Sequence, residues 1–131
     1  MSDIPIPYHD LLADSTPALL YLATLMPNGS PQVTPVWFSM DGEDILVNSI
    51  PQRVKHRNMV ERPQVACLIA DPADAGRYIH VRGRVVEVTE QGADEHVLDL
   101  ALKYNGRREF DFSGQTRVMY RIRPESVSVH G

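Results

Sequence analysis

The sequence contains one cysteine, no long apolar run and no excess of basic residues. A single cysteine among 131 residues excludes an internal disulfide and a metal site built from several cysteines. No apolar run approaches the about 18 residues that a membrane-spanning helix needs. The first residues are polar and do not resemble a secretory leader. We therefore expect a cytoplasmic protein that neither crosses nor enters a membrane.

The net charge of −4 argues against a nucleic-acid-binding protein, because such proteins usually carry a basic excess. The basic residues are nevertheless unevenly distributed along the chain. Local basic groups in an acidic protein indicate small anionic ligands, although solvated charged faces explain them equally well. The groups are Arg53, Lys55 and Arg57, then Arg82 and Arg84, then Arg117, Arg121 and Arg123.

The composition is that of an ordinary globular protein, with 43% hydrophobic and 23% charged residues. The length fits one domain over residues 1–131. A chain of this size buries about two-thirds of its unfolded surface, enough for one core. Cys67 lies in the apolar run 65–69, and this position predicts a small buried hydrophobe rather than a reactive thiol.

The hydrophobic pattern predicts a mainly β protein of the α+β class, an antiparallel barrel with a few short helices. Several short strands in so short a chain usually close into a barrel, which protects their edges. Turn signals at residues 27–30 and 41–42 separate the first three strands. The predicted strands are residues 18–26, 32–40, 45–49, 65–70, 78–89 and 117–123, the last extended by Val127 and Val129.

Three of these strands carry more specific expectations. Pro35 cannot donate to a ladder, so its strand is predicted to lie at an edge or to contain a bulge. The continuous apolar run 65–70 predicts a strand that is buried on both faces. Gly83, inside a regular two-residue alternation, indicates a bulge or a close approach of another backbone.

Short helices are predicted over residues 8–13, 52–61 and 94–104. Pro51 suits a first helical turn because its missing donor would be unpaired there. Pro63 disfavours helical geometry at the residue before it, so the second helix should end there. Asn105 and Gly106 are typical of a helix end.

The sequence has no signature of a zinc site, a P-loop, a Rossmann fold or a nucleophile elbow. The five histidines have no metal-like spacing, and each is interpreted as an ordinary surface or strand residue. Asp41, Glu43 and Asp44 cluster at a turn, where solvation explains them. No catalytic side chain and no metal ligand is therefore assigned, and an enzyme of this sequence would have to use the reactive group of a cofactor.

The segment 48–58 is the one stretch that points to a particular ligand. It runs from a strand end through Ser49 into a basic helix start, where free backbone donors and the helix dipole attract anions. Arg53 can make paired hydrogen bonds to phosphate, and Lys55 adds a point charge. Residues two apart point in nearly opposite directions on a regular helix, so these two can share an anion only if the first turn is irregular. Arg53 and Arg57 would share a face more easily, and a solvated basic helix is the alternative.

Segments 31–38, 45–49, 53–58, 63–66 and 78–83 resemble the split β-barrel flavin-binding superfamily. The likeness is to the pyridoxamine 5′-phosphate oxidase-like proteins, especially their short deazaflavin (F420)-dependent reductase branch. It covers the chain from about residue 15 to the end. The most specific part is the spacing of Ser49, Arg53, Lys55 and Asn58.

The resemblance implies a homodimer with a cofactor in a groove at the dimer interface. Ser49, Arg53 and Lys55 would hold the cofactor phosphate, and Asn58 would support the turn. Trp37 would contact the cofactor or would be plain core, and the sequence leaves both open. The residues that would line the ring system are Gln32, Val33, Thr34, Pro35, Val36, Trp37 and Asn48.

By the same resemblance, the protein would be an oxidoreductase that transfers a hydride from reduced F420 to a small conjugated organic substrate. The alternatives are an FMN-dependent oxidoreductase, a non-catalytic carrier of a flavin or deazaflavin, and a small barrel without a cofactor. Pyridoxamine phosphate is not an expected substrate, because the true oxidases carry a basic C-terminal segment that residues 126–131 do not match.

Overall fold

The computed structural model describes residues 4–131 and confirms the predicted class. One antiparallel sheet of seven strands makes up most of the chain, accompanied by three short helices. The strands are β1 (Leu20–Leu25), β2 (Pro31–Val36), β3 (Phe38–Asp41), β4 (Asp44–Ser49), β5 (Gln64–Asp71), β6 (Asp74–Thr89) and β7 (Val118–His130). The helices are a 3₁₀ helix (Ile6–Leu12), α1 (Val54–Glu61) and α2 (Ala93–Asn105).

The strand order β2-β1-β5-β6-β7-β4-β3 makes the sheet a split barrel. The two strands at its ends, β2 and β3, are consecutive in the chain and are joined only by Trp37. Since a single residue links them, the sheet curls until its two edges meet at this corner. The barrel is thus interrupted at Trp37, where the backbone passes from one edge strand to the other.

The single strand predicted over residues 32–40 is therefore wrong. Its first half pairs with β1, and its second half pairs with β4 at the opposite end of the sheet. Pro35 does lie on an edge strand, but the β1–β2 register runs without a bulge from Leu20↔Val36 to Leu25↔Pro31. The β-forming residues continue through the corner. Because strand propensity does not depend on which strand is the pairing partner, the change of partner gives no signal in the sequence.

The core lies inside the curled sheet and is closed by the 3₁₀ helix and α1. Tyr120 and Phe38 are its largest fully buried side chains, and Leu20, Leu22 and Ile122 pack in the same cluster.

Cys67 is 1% exposed, and its burial raises the pKa of the thiol to about 12. Its interpretation as a buried hydrophobe is confirmed.

Strand β5 is not buried on both faces as predicted. Val65, Cys67 and Ile69 face the core, whereas the residues between them are only partly buried. Two of those, Ala66 and Leu68, lie opposite Ala23 and Tyr21 of β1. The apolar run thus supplies two surfaces, one inside the barrel and one on its outer face.

Gly83 satisfies both expectations made for it. The β6–β7 register shifts between Arg82 and Gly83. A Cβ atom at Gly83 would lie 2.6 Å from the carbonyl oxygen of Arg123, closer than carbon and oxygen can approach. The absent side chain allows the two backbones to meet at this bulge.

Helix α1 begins two residues later than predicted. Arg53 precedes it in an extended conformation, with φ −77° and ψ 145°, after an irregular turn over residues 51–53. Helix α2 ends at Asn105, one residue beyond the predicted end, and Gly106 follows as its cap, with φ 78° and its N–H donating to the carbonyl oxygen of Leu102 at 3.0 Å. Within residues 4–131, every helix is too short or too polar to cross a bilayer.

Candidate functional site

A cavity of about 440 Å³ lies beside the Trp37 corner. The end of β2, the end of β4, the start of α1, one side of α2 and the segment before β7 surround it. Its lining residues are Leu19, Pro35, Val36, Trp37, Asn48, Ser49, Ile50, Arg53, Lys55, Val97, Leu100, Phe110 and Arg117.

The structure brings most of the predicted site residues together in this cavity. Those that line it are Pro35, Val36, Trp37, Asn48, Ser49, Arg53 and Lys55. Those that do not are Gln32, Val33, Thr34 and Asn58.

The basic turn, residues 49–55, forms one end of the cavity. Ser49 is the last residue of β4 and is 8% exposed. Arg53 and Lys55 both line the cavity, because Arg53 is extended and stands outside the helix. Arg53 and Lys55 therefore do not point in opposite directions, as residues two apart would on a regular helix. Burial, and then the charge of Arg53, lowers the pKa of Lys55.

No acidic residue lines the cavity, although Arg53, Lys55 and Arg117 do. Within residues 4–131, none of these three cations forms an ion pair with a carboxylate. Lys55 and Arg117 are partly buried, and removing a cation from water without a counter-charge costs free energy that a bound anion would recover. The charge distribution therefore suits an anionic ligand.

Arg117 reaches the cavity because β7 starts opposite the end of β4, with Val118 paired to Ser49. Its Nε donates to Asn48 Oδ1 at 2.8 Å, and its Nη1 donates to Gln115 Oε1 at 2.9 Å. Burial lowers the pKa of the guanidinium, and the charge of Arg53 lowers it further.

Arg117 lies close to Arg121 and Arg123 in the sequence, but the structure separates them. Arg121 pairs with Asp41 and Asp44, and Arg123 also pairs with Asp44. Ion pairing, rather than solvation alone, thus explains why Asp41 and Asp44 lie together at this turn. Only Arg117 of the three lines the cavity.

Asn48 connects Arg117 to α2. Its Nδ2 donates to the carbonyl oxygen of Ala93 at 2.9 Å and to His96 Nδ1 at 3.1 Å. Because Nδ1 accepts this bond, the neutral ring carries its proton on Nε2, which donates to Ser39 Oγ at 2.9 Å. His96 is 7% exposed, so its interpretation as an ordinary surface or strand residue is wrong.

The buried His96 predicts a pH-dependent stability. Burial lowers its pKa from 6.5 to about 4. Between these pH values the unfolded chain binds a proton that the folded chain does not, so stability falls as pH decreases from 6.5 to about 4. The loss is about 3 kcal/mol. Urea unfolding across this range should show a smaller pH dependence for His96→Asn than for wild type. Other titrating groups are common to both proteins, so equal slopes would contradict the assignment.

Aromatic rings form the wall at the Trp37 corner. The indole stacks on Tyr104, with ring centroids 5.2 Å apart and planes at 5°, and it meets Phe110 edge-on at 5.9 Å. Tyr104 is itself fixed, because its hydroxyl donates to the carbonyl oxygen of Ala18 at 2.6 Å and accepts from the N–H of Phe38 at 3.3 Å. Trp37 is therefore both packed against its neighbours and available to a ligand.

Asn58 lies behind the basic turn and is 1% exposed. Its Nδ2 donates to Thr24 Oγ1 at 2.9 Å, and its Oδ1 accepts from Arg62 Nη2 at 3.2 Å. The Thr24 hydroxyl in turn donates to Gln32 Oε1 at 3.5 Å. These contacts fasten α1 to β1 and β2.

Thr34 and Val33 lie on opposite faces of β2. Thr34 pairs with the buried Leu22, and its Oγ1 is buried without a hydrogen-bond partner in residues 4–131. Val33 is 62% exposed. An unpaired buried hydroxyl is unusual in a folded protein and is a candidate for bonding to a ligand or a water.

Several lining residues were not predicted from the sequence. Val97 and Leu100 belong to a helix whose amphipathic pattern was recognised, but the pattern does not tell which cavity the helix borders. Phe110 lies in a polar segment that gave no signal. Within the described ranges, no group of three or more His, Cys, Asp or Glu residues is arranged to hold a metal ion.

Comparison with known proteins gives a consistent fold and, for a solved F420 reductase, a substantial sequence similarity. A solved F420 reductase is 34% identical, with a TM-score of 0.82, over 95% of this chain and 98% of that one. A conserved hypothetical protein from Mycobacterium tuberculosis is 19% identical, with a TM-score of 0.76, over 97% of this chain and 84% of that one. At this lower identity the likeness shows the fold alone. No curated protein matches the sequence.

The family model described as pyridoxamine 5′-phosphate oxidase matches residues 9–131, nearly the whole chain. With the seven-stranded split barrel and the similarity to an F420 reductase, this match places the chain among flavin-type oxidoreductases and their relatives. The protein belongs to the pyridoxamine 5′-phosphate oxidase-like family.

Proposed function

We propose that the cavity binds the phosphate-bearing part of F420 and that the protein reduces a small conjugated organic substrate with it. The observation that carries this proposal is the basic turn with its uncompensated cations, placed beside an aromatic wall in one cavity. The cavity volume of about 440 Å³ lies within the range of small-molecule sites, about 300–1,000 Å³.

The residues present fit such a cofactor. At the basic turn, the Ser49 hydroxyl can bond a phosphate oxygen, while Arg53 and Lys55 neutralise its charge. The ring system would lie against Pro35, Val36 and Trp37.

When bound, the reduced cofactor supplies the hydride. The protein then has to bind the cofactor and the substrate, orient them and exclude water from the cavity. The absence of any acidic residue from the lining agrees with this role. Tyr104 holds the Trp37 ring in place, and the aliphatic side chains of Val97 and Leu100 keep the neighbouring wall dry. Asn48, fixed by its own hydrogen bonds, presents a polar group beside the proposed ring position.

The proposal includes a homodimer in the cytoplasm, with the second copy completing the cofactor groove. Its support is the apolar outer face of the sheet, where Tyr21 is 40% exposed and lies opposite Leu68. Ala23 and Ala66 continue this surface. Half-exposed apolar side chains in a contiguous strip favour a protein contact.

FMN is the second candidate cofactor, since phosphate recognition by the basic turn would serve either molecule. F420 is preferred because the F420 reductase is 34% identical along nearly its whole length. A carrier without catalysis is the alternative of a different class.

Turnover separates an enzyme from a carrier. Reduced F420, mixed anaerobically with catalytic amounts of protein and a panel of conjugated enones, quinones and nitro compounds, should be oxidised only when both protein and an acceptor are present. Stoichiometric binding of F420 without turnover by any acceptor would contradict the catalytic part of the proposal and favour the carrier.

A further inference from the structure

We propose that Arg117 is a second anion-binding group of the cavity, distinct from the basic turn, and that it selects substrates that are planar conjugated acids by binding their carboxylate. This inference rests on the proposed function, since it assigns the basic turn to the cofactor phosphate and leaves Arg117 for the substrate.

The charge environment of Arg117 differs from that of the arginines that serve the fold. Arg77, Arg108 and Arg121 each bind two or more carboxylates. Arg117 is partly buried, yet within residues 4–131 its side chain donates only to the amides of Asn48 and Gln115. A guanidinium held away from water by neutral partners retains its full charge for an incoming anion.

The geometry of Arg117 is fixed in advance. Asn48 holds Nε and Gln115 holds Nη1, while Nη2 has no hydrogen-bond partner within residues 4–131. A guanidinium presents its donors in a planar fork that matches a carboxylate. Because two of its nitrogens are already held in place, binding loses little side-chain entropy.

Arg117 also has an aromatic neighbour in the cavity. The guanidinium lies 5.2 Å from the Phe110 ring centroid, and that ring meets Trp37 edge-on. Val97 and Leu100 of α2 also line the cavity. A molecule whose charge is bound by Arg117 would place its uncharged part among aromatic and aliphatic walls, which favours a conjugated acid over a sugar phosphate or an amino acid.

His96 is a positioning residue for Arg117. Its Nδ1, together with the carbonyl oxygen of Ala93, takes both amide hydrogens of Asn48. The amide oxygen is thereby turned toward Arg117 Nε. Without the acceptor at Nδ1, only the carbonyl oxygen of Ala93 would hold the Asn48 amide in this orientation, so the amide oxygen would be held less firmly against Arg117 Nε.

The test compares trans-cinnamate with trans-cinnamamide, which share a planar conjugated skeleton and differ in charge. Calorimetric titration of the wild-type protein should show roughly tenfold or tighter preference for cinnamate. Arg117→Gln should abolish this preference and weaken the binding of FMN and F420 clearly less than Arg53→Gln does, whereas Arg53→Gln should keep the preference.

Two results would overturn the proposal. One is that the wild-type protein shows no preference for cinnamate, including the case in which it binds neither compound. The other is that Arg117→Gln weakens cofactor binding as strongly as Arg53→Gln, which would assign Arg117 to the phosphate. Failure of the proposed function is a separate outcome, recognised by wild-type protein that binds neither F420 nor FMN.

The positioning role is tested with two replacements of His96. Asparagine can offer its amide oxygen where Nδ1 accepts, so His96→Asn should keep the preference for cinnamate. His96→Leu should reduce it several-fold at unchanged far-ultraviolet circular dichroism. Retention of the preference in His96→Leu, or its loss in both variants, would contradict the role of Nδ1. A merely structural effect would weaken cinnamate and cinnamamide equally.

Discussion

The Arg53→Gln variant is expected to bind F420 and FMN about 10- to 100-fold more weakly than the wild-type protein. Arg53 lines the cavity from the last extended position before α1, where its guanidinium can reach a phosphate together with Ser49 and Lys55. Glutamine keeps much of the length but removes the charge, and a hydrogen bond to a charged group contributes about 1.5–3 kcal/mol. Fluorescence titration at constant ionic strength measures the effect.

Arg57→Gln is the matched control, because it removes the same charge from the same segment. Arg57 is exposed on α1 and does not line the cavity, so its loss should change cofactor affinity by less than about twofold through long-range electrostatics alone. Equal weakening by the two variants would mean that the overall positive charge of this segment, rather than a phosphate site at the basic turn, attracts the cofactor.

The Phe38→Ala variant is expected to lose about 3–5 kcal/mol of stability, the usual cost of removing a fully buried aromatic ring. Phe38 is 0% exposed and is the first residue of β3 after the Trp37 corner. The Lys103 ammonium lies 4.1 Å from its ring centroid and donates to its carbonyl oxygen at 2.9 Å. Since domains are typically stable by about 5–15 kcal/mol, urea unfolding should show a strongly shifted midpoint.

Leu102→Ala provides the control for this stability measurement. Leu102 is also apolar but is 51% exposed on α2, so its truncation should change the free energy of unfolding by about 0.5 kcal/mol or less. A loss below about 1 kcal/mol for Phe38→Ala would contradict the placement of this ring in a close-packed core at the corner.

Local signals predicted the parts of the structure that depend on neighbouring residues. The alternation in β6 and the bulge at Gly83 follow from side-chain period and backbone crowding, and the end of α2 follows from the glycine at its C-terminus. Arg53 and Lys55 can act together only if the turn after Pro51 is irregular, and the structure meets this condition. Each of these features is encoded within a few residues.

The parts that the sequence did not predict depend on contacts between distant segments. Nothing local marks Trp37 as the residue where the chain changes from one sheet edge to the other. Asn48, His96 and Arg117 meet only because α2 and the start of β7 both lie against the end of β4. The outer face of β5 illustrates a related limit, because an apolar run predicts burial but does not show whether one face of the strand or both are covered.

The binding of the cofactor is tested most directly by titrating the protein with F420 and, in parallel, with FMN. Trp37 is the only tryptophan and lines the cavity, so its emission reports on this site. The account predicts that F420 quenches Trp37 emission, saturates at one molecule per chain and binds more tightly than FMN. Tighter binding of FMN would support this cavity as the cofactor site but would identify FMN, rather than F420, as the cofactor. Binding of neither, with Trp37 emission unchanged, would contradict the assignment of this cavity as a cofactor site.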